Sequence, residues 1–463
     1  MIQAIVLFWG LSCQLTLTTS QTELKTGELI PRIVAKNVPD QDYCLYLPAH
    51  YSSDQKWPTI IVFDPEARAS QAVGNLIQVA ETFGYVVASS NQARDLDWPG
   101  QSRALDAVWE DMRERLKLDP FRLTLVGLGE SARACADFAL LTKRPSAIVL
   151  CHAGLGTRHK GNLERSDLAL VSITSTVGPN GYELDALHRQ LDELGWWHHA
   201  VSYQGEYGWP TAAAFMDAFD WLQLQAVTSG LASAKIPTNP SRERLLDRLN
   251  QWVESGNILN ARDLAASLAR LYPNELQWQE LIETQESDPR FQQQRRAQKE
   301  HHKRESNLVK KQAKRMERVL RGPMKSNQRE KELNWWQMQI ASARAIQAGP
   351  ESTPHVRRLL ANIIYECTVA SLSASNRQDW ETSCFFAEIA ALADPKSPQL
   401  QLRLARAWVQ TGDSTRALET LKRAIELGLV PDEFANDPQL LPLHDHAQWQ
   451  ELIDHEVSPT ANE

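Results

Sequence analysis

The chain has 463 residues, of which 43% are hydrophobic and 23% charged, and its formal net charge is −8. This length allows two or three domains, and the composition is that of ordinary globular protein. The mild negative charge argues against a protein built wholly around nucleic acid. The six scattered cysteines include no Cys-x-x-Cys pair, so we expect neither a disulfide framework nor a metal site, and no motif implies a cofactor.

Residues 1–20 are expected to form an export signal, which would make the protein periplasmic or extracellular. They contain no charge, residues 4–17 are mostly apolar, and Thr18 and Ser20 supply small residues before a cleavage point. The apolar run is too short to span a bilayer, and no other stretch predicts a transmembrane segment. Cys13 is a weaker candidate for lipid attachment. The alternative for these residues is a buried first strand or helix.

Short apolar runs alternate with amphipathic segments over residues 29–227, which we expect to form one domain. Several runs, such as residues 59–63, 123–126 and 147–150, are nearly continuous apolar blocks. Such blocks are typical of parallel strands that are covered on both faces. Alternation of strand and helix predicts a doubly wound α/β sheet.

The remainder of the chain is predicted to be helical. Residues 228–240 are rich in Ser, Ala, Thr and Pro and indicate a linker. A helical hairpin is expected over residues 241–289, and further helical repeats over residues 334–455. An all-α region therefore follows the α/β sheet.

A period of 34 residues is visible near the C-terminal end and resembles that of TPR repeats. One copy places small and large residues at the TPR spacings, namely Ala405, Trp408, Gly412, Ala417, Leu421 and Ala424. The same Trp-x3-Gly spacing occurs at Trp252 and Gly256. Small residues let two antiparallel helices approach, and the resemblance implies binding of a protein or peptide. The alternative is a generic helical hairpin.

Residues 290–333 are expected to form an exposed basic helix. Residues 290–331 hold 15 Lys and Arg against 4 Glu, which leaves −19 for the rest of a chain whose total is −8. Too few apolar residues are present for a wide buried stripe, so we expect chiefly electrostatic contacts. The helix either folds back onto the acidic domains or contacts an acidic partner such as anionic lipid, wall polymer or nucleic acid. Missing aromatic residues argue against specific nucleic-acid binding.

Residues 119–133 read DPFRLTLVGLGESAR, in which a strand ends at Gly127 and a helix begins near Ser131. This is the strand–turn–helix context of a nucleophile elbow. The segment resembles the polyhydroxybutyrate depolymerase, feruloyl esterase and dienelactone hydrolase-like branch of the α/β hydrolases, which reads D-P-x-R, a strand, then G-x-S-x-G-A-R. Gly129 stands where the resemblance implies the nucleophilic serine.

Further segments carry the same resemblance, which covers about residues 40–225: residues 46–48 with residues 57–58 look like the family's opening, and residues 89–91 look like the end of its second strand. Residues 203–210 are similar to the family's G-x-H-x-W-P segment, with Tyr207 at the histidine position. The catalytic acid would follow the strand near residue 173, where Gly178 or Asn180 stands instead. Acyl transfer needs a nucleophile, a base and an acid, and none of these residues supplies its role. We therefore expect a non-catalytic hydrolase-like domain rather than an enzyme.

Three functional hypotheses remain open. The first is a non-catalytic hydrolase-like module that binds a ligand, with Glu66, Arg68, Glu130 and Trp209 as cleft candidates. The second is a serine esterase that uses Ser131 in an elbow shifted by two residues, with His198, His199 or another imidazole as base. Against it, Arg133 stands at the second glycine position, and Ser131 suits a helix N-cap or first turn. The third is a pure TPR scaffold.

Overall fold

The computed structural model describes residues 24–93, 98–156, 163–164, 166–322, 326–348, 354–435 and 437–453. The expected export signal at residues 1–20, including Cys13, lies outside these ranges. No helix among the described residues is long and apolar enough to cross a membrane.

Eight strands form one mixed sheet in the order β1-β2-β4-β3-β5-β6-β7-β8. The antiparallel pairings are β1 with β2 and β2 with β4, and all other neighbours are parallel. The carboxyl ends of the parallel strands therefore meet at one edge, where ligands bind in open α/β sheets. The strands are β1 Leu29–Val34, β2 Asp42–Tyr46, β3 Trp57–Phe63, β4 Val86–Ser90, β5 Leu118–Leu128, β6 Ala147–Cys151, β7 Ala169–Ser175 and β8 His198–Tyr203.

Helices cover both faces of the sheet, which confirms the doubly wound α/β prediction. One face packs on α3, α4 and α5, and the other on α1, α2 and α6. Strands such as β3, β4 and β6 are buried along their whole length, which explains their continuous apolar sequences. The helices are α1 Ala69–Gly74, α2 Ile77–Phe83, α3 Trp98–Arg115, α4 Glu130–Thr142, α5 Gly181–Leu194 and α6 Ala212–Thr228.

An all-helical region follows the sheet, as predicted. Its first helices do not form a separate core, because Leu245, Leu264 and Trp278 are buried in the same cluster as strands of the sheet. The hairpin expected over residues 241–289 is thus an extension of the α/β core. The helices are α7 Asn239–Glu254, α8 Ile258–Leu271, α9 Leu276–Ser287, α10 Pro289–Leu320, α11 Ser326–Ala348, α12 Pro354–Asn376, α13 Trp380–Ala393, α14 Pro398–Gln410, α15 Ser414–Glu426 and α16 Ala447–Ile453.

The small residues of the 34-residue pattern lie where two helices meet. Ala405 on α14 and Ala417 and Ala424 on α15 are fully buried in one cluster. Gly412, with φ of 81°, makes the turn between these helices, and Gly256, with φ of 79°, makes the turn between α7 and α8. Glycine suits both turns because a left-handed backbone strains other residues. The assignment of these pairs as TPR units stays a prediction.

The basic run differs from its prediction in two ways. It is not one helix, since α10 ends at Leu320 and α11 begins at Ser326. Its contacts are also not chiefly electrostatic, because α10 buries Phe291, Met316 and Val319 on one side. The prediction counted only apolar residues, and it therefore failed to detect a buried side that also contains glutamine and glutamate. Buried polar side chains of this kind include Gln312 and Glu305.

Candidate functional site

The turn between β5 and α4 has the backbone of a nucleophile elbow. Gly129 joins the two elements with φ of 58° and ψ of −122°, which is a left-handed conformation. A Cβ atom on Gly127 would lie 2.6 Å from backbone atoms of Ala132, so strand and helix touch at that point. This strained strand-to-helix turn is the one that presents the serine in active hydrolases. Here it presents no side chain.

The space beyond Gly129 is filled by two tyrosines. A Cβ atom on Gly129 would lie 2.7 Å from Oη of Tyr207 and 3.4 Å from Cε2 of Tyr365. Tyr207 follows β8, whereas Tyr365 comes from α12 in the helical region. The two rings meet edge to face, with centroids 5.9 Å apart. A side chain at residue 129 would therefore need Tyr207 to move and would lie in contact with Tyr365.

The end of β7, where the resemblance implies the catalytic acid, is closed by an imidazole. A Cβ atom on Gly178 would lie 2.2 Å from Nδ1 of His152. Asn180 is buried with φ of 64°, and its Nδ2 donates to the carbonyl oxygen of His152 at 3.0 Å. A side chain at residue 178 would therefore displace the His152 imidazole, and a carboxylate at residue 180 would lack the donor that the His152 carbonyl oxygen now accepts from.

His152 is the site residue that the sequence reasoning missed. It directly follows β6, has φ of 61°, and is fully buried. Its Nε2 lies 3.1 Å from Oη of Tyr203, and its ring meets Tyr207 edge to face at 5.2 Å. Burial lowers the pKa of His152 to about 4, so the imidazole is neutral at pH 7. Its place after a buried strand, at the same edge as Gly129, was the available signal.

The loop after β3 cannot supply an oxyanion hole from residues 65–67. Pro65 has no N–H, the N–H of Glu66 donates to Oδ1 of Asp64 at 2.7 Å, and that of Ala67 donates to the Asp64 carbonyl at 3.0 Å. An oxyanion hole needs backbone donors that point at the substrate. These donors are already engaged within the loop.

Asp64 organises two of the residues predicted to line the cleft. Its buried carboxylate accepts from Nη2 of Arg68 at 2.9 Å and from Nε1 of Trp209 at 2.7 Å. Arg68 lines the cavity described below, but Trp209 is not among its lining residues. Trp209 instead packs on Phe215 and braces the loop.

One face of α12 docks on this edge of the sheet. Arg358, Asn362 and Tyr365 lie four and three residues apart, so they project from the same side of the helix. Nη2 of Arg358 donates to the carbonyl oxygen of Thr176 at 3.2 Å. Gly181 permits this approach, since a Cβ atom there would lie 2.4 Å from Nη1 of Arg358.

Asn362 links three elements through one amide. Its Oδ1 accepts from the N–H of Asn180 at 3.2 Å, and its Nδ2 donates to Oε1 of Glu305 on α10 at 2.8 Å. All three residues are buried. The sheet edge, α12 and α10 are therefore joined by hydrogen bonds that water does not reach.

Tyr365 and Glu130 join the helical region to the elbow. The Tyr365 hydroxyl donates to the Glu130 carboxylate, which also pairs with Nε of Arg133 at 3.0 Å. Burial, together with the Glu130 charge, raises the pKa of Tyr365 well above its usual value. Arg133, the residue that disfavoured a shifted elbow, also bonds to Glu183 on α5. The charged side chains at the start of α4, Glu130 and Arg133, thus bond to other residues of the protein.

A cavity of about 1780 Å³ opens above these contacts, between the sheet edge and the helical region. Most of the predicted cleft residues lie on its α/β wall. The helical wall includes one face of α12 and the start of α14. Lining residues include Glu66, Arg68, Glu130, Ser131 and Tyr207 on the first wall, and Leu360, Ile364, Leu372 and Arg403 on the second.

The residues of the shifted-elbow hypothesis are not brought together. Ser131 is the second residue of α4 and is 2% exposed. The strand register puts His198 level with Leu125, three residues before the end of β5, or about 10 Å along the strand. His198 instead bonds to His188 and Asp192. His199 stacks on Trp221 at 5.6 Å.

Comparison with known proteins adds structural neighbours only. No family model matches the chain, and no curated protein matches it. Similar solved structures include a thermostable esterase, with 14% identity, 42% of this chain and 61% of that chain covered, and a TM-score of 0.33. The S-formylglutathione hydrolase of Staphylococcus aureus has 10% identity and a TM-score of 0.32, with 40% of this chain and 92% of that chain covered. A truncated carbohydrate esterase from gut microbiota has 14% identity and a TM-score of 0.35, with 44% of this chain and 98% of that chain covered.

Proposed function

We propose that this chain is a non-catalytic protein of the α/β-hydrolase fold that binds a ligand in the cavity between the sheet and the helical region. One observation carries the proposal. Gly129 holds the elbow conformation, but the space that a nucleophile would need is occupied by Tyr207 and Tyr365. Oη of Tyr207 lies 2.7 Å from the position that a Cβ atom on residue 129 would take. Loss of the nucleophile alone lowers acyl transfer by several orders of magnitude.

The surroundings support the same conclusion. His152 fills the position of the acid, and the N–H groups of Glu66 and Ala67 are engaged by Asp64. A nucleophile, an acid and an oxyanion hole have distinct geometric requirements. The packing at this edge therefore supports a binding role over acyl transfer.

We propose that the ligand is an extended peptide. Pockets for small molecules usually measure about 300–1,000 Å³, and this cavity is larger. Leu360, Ile364 and Leu372 follow one face of α12 and offer apolar contacts, while Glu66 and Arg403 supply charge. Such a combination suits a chain with mixed side chains and a polar backbone. The protein would act outside the cytoplasm if residues 1–20 direct export.

Ester hydrolysis tests the catalytic part of the proposal. The full chain should not cleave a chromogenic short-chain ester above the uncatalysed rate. Gly129→Ser should also be inactive, because the added side chain meets Tyr207. Stoichiometric labelling of Ser131 by a fluorophosphonate, together with turnover that Ser131→Ala abolishes, would support the esterase hypothesis instead.

Peptide selection tests the binding part. A random peptide library displayed on phage should enrich on the full chain, and Leu372→Arg should remove the enrichment. Leu276, which is 75% exposed on α9 and outside the cavity, offers the matched control Leu276→Arg. Tyr207→Ala on the opposite wall should also weaken binding. If only Leu372→Arg weakened it, the pure scaffold hypothesis would fit better, and no enrichment at all would contradict peptide binding.

A further inference from the structure

Helix α10 carries a row of exposed cations that the cavity does not use. Ten Lys and Arg side chains on this helix are exposed, and nine of them, all but Arg290, form no ion pair within the described part of the chain. From the first to the last of these nine, the helix advances by 23 residue steps, or about 35 Å. We call this row the basic ridge: Arg295, Arg296, Lys299, Lys303, Arg304, Lys310, Lys311, Lys314 and Arg318.

The ridge lies opposite the side of α10 that packs on the protein. The residues that face inward repeat every seven positions, from Phe291 through Glu305 and Gln312 to Val319. At 100° per residue, the nine cations occupy the other half of the helix surface. The inward side contacts α5, α8, α9 and α12. The helix is therefore held rigidly, with its charged side facing solvent.

The acidic charge of the molecule lies elsewhere. Residues 290–331 are strongly basic, whereas the rest of the chain carries −19. On the same side of α10 the described acids are Glu300 and Glu317, and Glu317 already pairs with Arg321 at 2.7 Å. An anionic surface is thus attracted to the ridge and repelled by much of the remaining molecule.

We propose that the basic ridge docks the protein onto an anionic lipid bilayer. A plane touches a straight helix along its whole length, so cations over about 35 Å contact it together. Duplex nucleic acid fits less well, because a helix must enter a major groove about 12 Å wide to read it. Helix α10 is packed along its inward side on α5, α8, α9 and α12, so it lies against the body of the protein and does not project from it as a groove-reading helix does. No aromatic residue is exposed on α10 for base stacking.

Docking of this kind is peripheral. Amphipathic membrane helices insert an apolar face, but Phe291, Met316 and Val319 of α10 are buried inside the protein, and its one exposed large apolar residue is Leu320 at the C-terminal end. Attraction therefore rests chiefly on charge, and each Lys or Arg near the surface contributes about a five-fold gain in partition. Salt should reverse it, since the Debye length falls from about 10 Å at 0.1 M to about 3 Å at 1 M.

Cosedimentation of the full chain with vesicles tests the proposal. The chain should bind vesicles of phosphatidylcholine mixed with phosphatidylglycerol at about 0.1 M salt, and detach at about 1 M. It should not bind phosphatidylcholine alone. The triple variant Lys299→Glu, Lys310→Glu and Lys314→Glu should lower the partition coefficient about 100-fold or more. Circular dichroism would check that the variant is folded.

A variant with the same change in net charge provides the control. Lys56, Lys422 and Arg423 are exposed and lie outside both the ridge and the cavity. Their replacement by Glu should lower the partition coefficient much less than the ridge variant does. Equal effects of the two variants would overturn the proposal. So would tighter binding to a duplex DNA fragment than to anionic vesicles at the same salt, equal binding to neutral vesicles, or no vesicle binding.

Discussion

The two walls of the cavity are built by different means. On the α/β wall the backbone follows from the order of strands, and the turn at Gly129 keeps its elbow conformation without a nucleophile. On the helical wall the backbone is a regular α-helix, and its side chains form the contacts with the other wall. Tyr365 and Asn362 make hydrogen bonds to residues at the sheet edge. The α/β wall is thus shaped by its backbone, whereas the helical wall is joined to it by side chains from a distant part of the chain.

Alanine at the two glycines of the elbow gives the largest expected contrast. Gly127→Ala should destabilise the protein by about 3 kcal/mol or more, because the new Cβ would lie 2.6 Å from the backbone of Ala132. Gly129→Ala should cost about 1–3 kcal/mol, from the left-handed backbone and the contact with Tyr207. Chemical denaturation would measure both.

The variant Tyr207→Phe tells the two causes apart. It removes the hydroxyl that lies 2.7 Å from the position a Cβ atom would take on residue 129, so it should recover part of the loss in Gly129→Ala. It should not help Gly127→Ala, whose contact is with backbone. Equal recovery in both would mean that the elbow is softer than the structure indicates.

Acid should destabilise the protein through the buried imidazole of His152, which lies near the end of β7. The pKa of His152 is lowered to about 4, against about 6.5 in the unfolded chain, so the unfolded state binds the proton more tightly. No penalty arises above pH 6.5, and the penalty grows as the pH falls, reaching about 3 kcal/mol near pH 4. His152→Gln should lose less stability between pH 7 and pH 4 than the parent chain does.

The exposed His446 supplies the comparison for this titration. His446→Gln makes the same chemical change at an exposed position. Unfolding free energies of the three proteins at pH 7, 5.5 and 4 would be compared. If His152→Gln and His446→Gln had the same slope, the buried imidazole would not be the group responsible.

Removing the side-chain amide of Asn362, on α12, should lower the free energy of unfolding by a somewhat smaller amount. Asn362→Leu would leave the N–H of Asn180 without its acceptor and the buried Glu305 without one donor, at a cost of about 2 kcal/mol. Asn307→Leu, at an exposed position on α10, should cost little. Thermal unfolding would show the difference. Similar midpoints for both would mean that the two walls are not coupled through Asn362.

The packing between α14 and α15 in the helical region offers a further test. Ala417→Phe should cost about 1–3 kcal/mol, because Ala417 is fully buried between α14 and α15. Thr415→Phe, on the exposed side of the same helix, should be close to neutral. Equal losses in thermal unfolding of the full chain would show that the 34-residue pattern does not report the packing face.

Local patterns were sufficient to predict the layered fold. The apolar runs at residues 59–63, 123–126 and 147–150 lie in β3, β5 and β6, because strand burial is recorded in neighbouring residues. The strand–turn–helix expected around residues 127–131 is also present, since β5 ends at Leu128 and α4 begins at Glu130. The candidates Glu66, Arg68, Glu130, Ser131 and Tyr207 do line one cavity, since the carboxyl ends of parallel strands share an edge.

What only the tertiary structure decided are contacts between distant segments. His152 lies against Gly178, Tyr365 lies over Gly129 from a helix in the other half of the chain, and α10 buries Glu305 beside its apolar residues. None of these contacts has a local signature, because each depends on how α10 and α12 dock on the sheet. The sequence by itself determined the elements and their order, and the docking of those elements determined which side chains occupy the site.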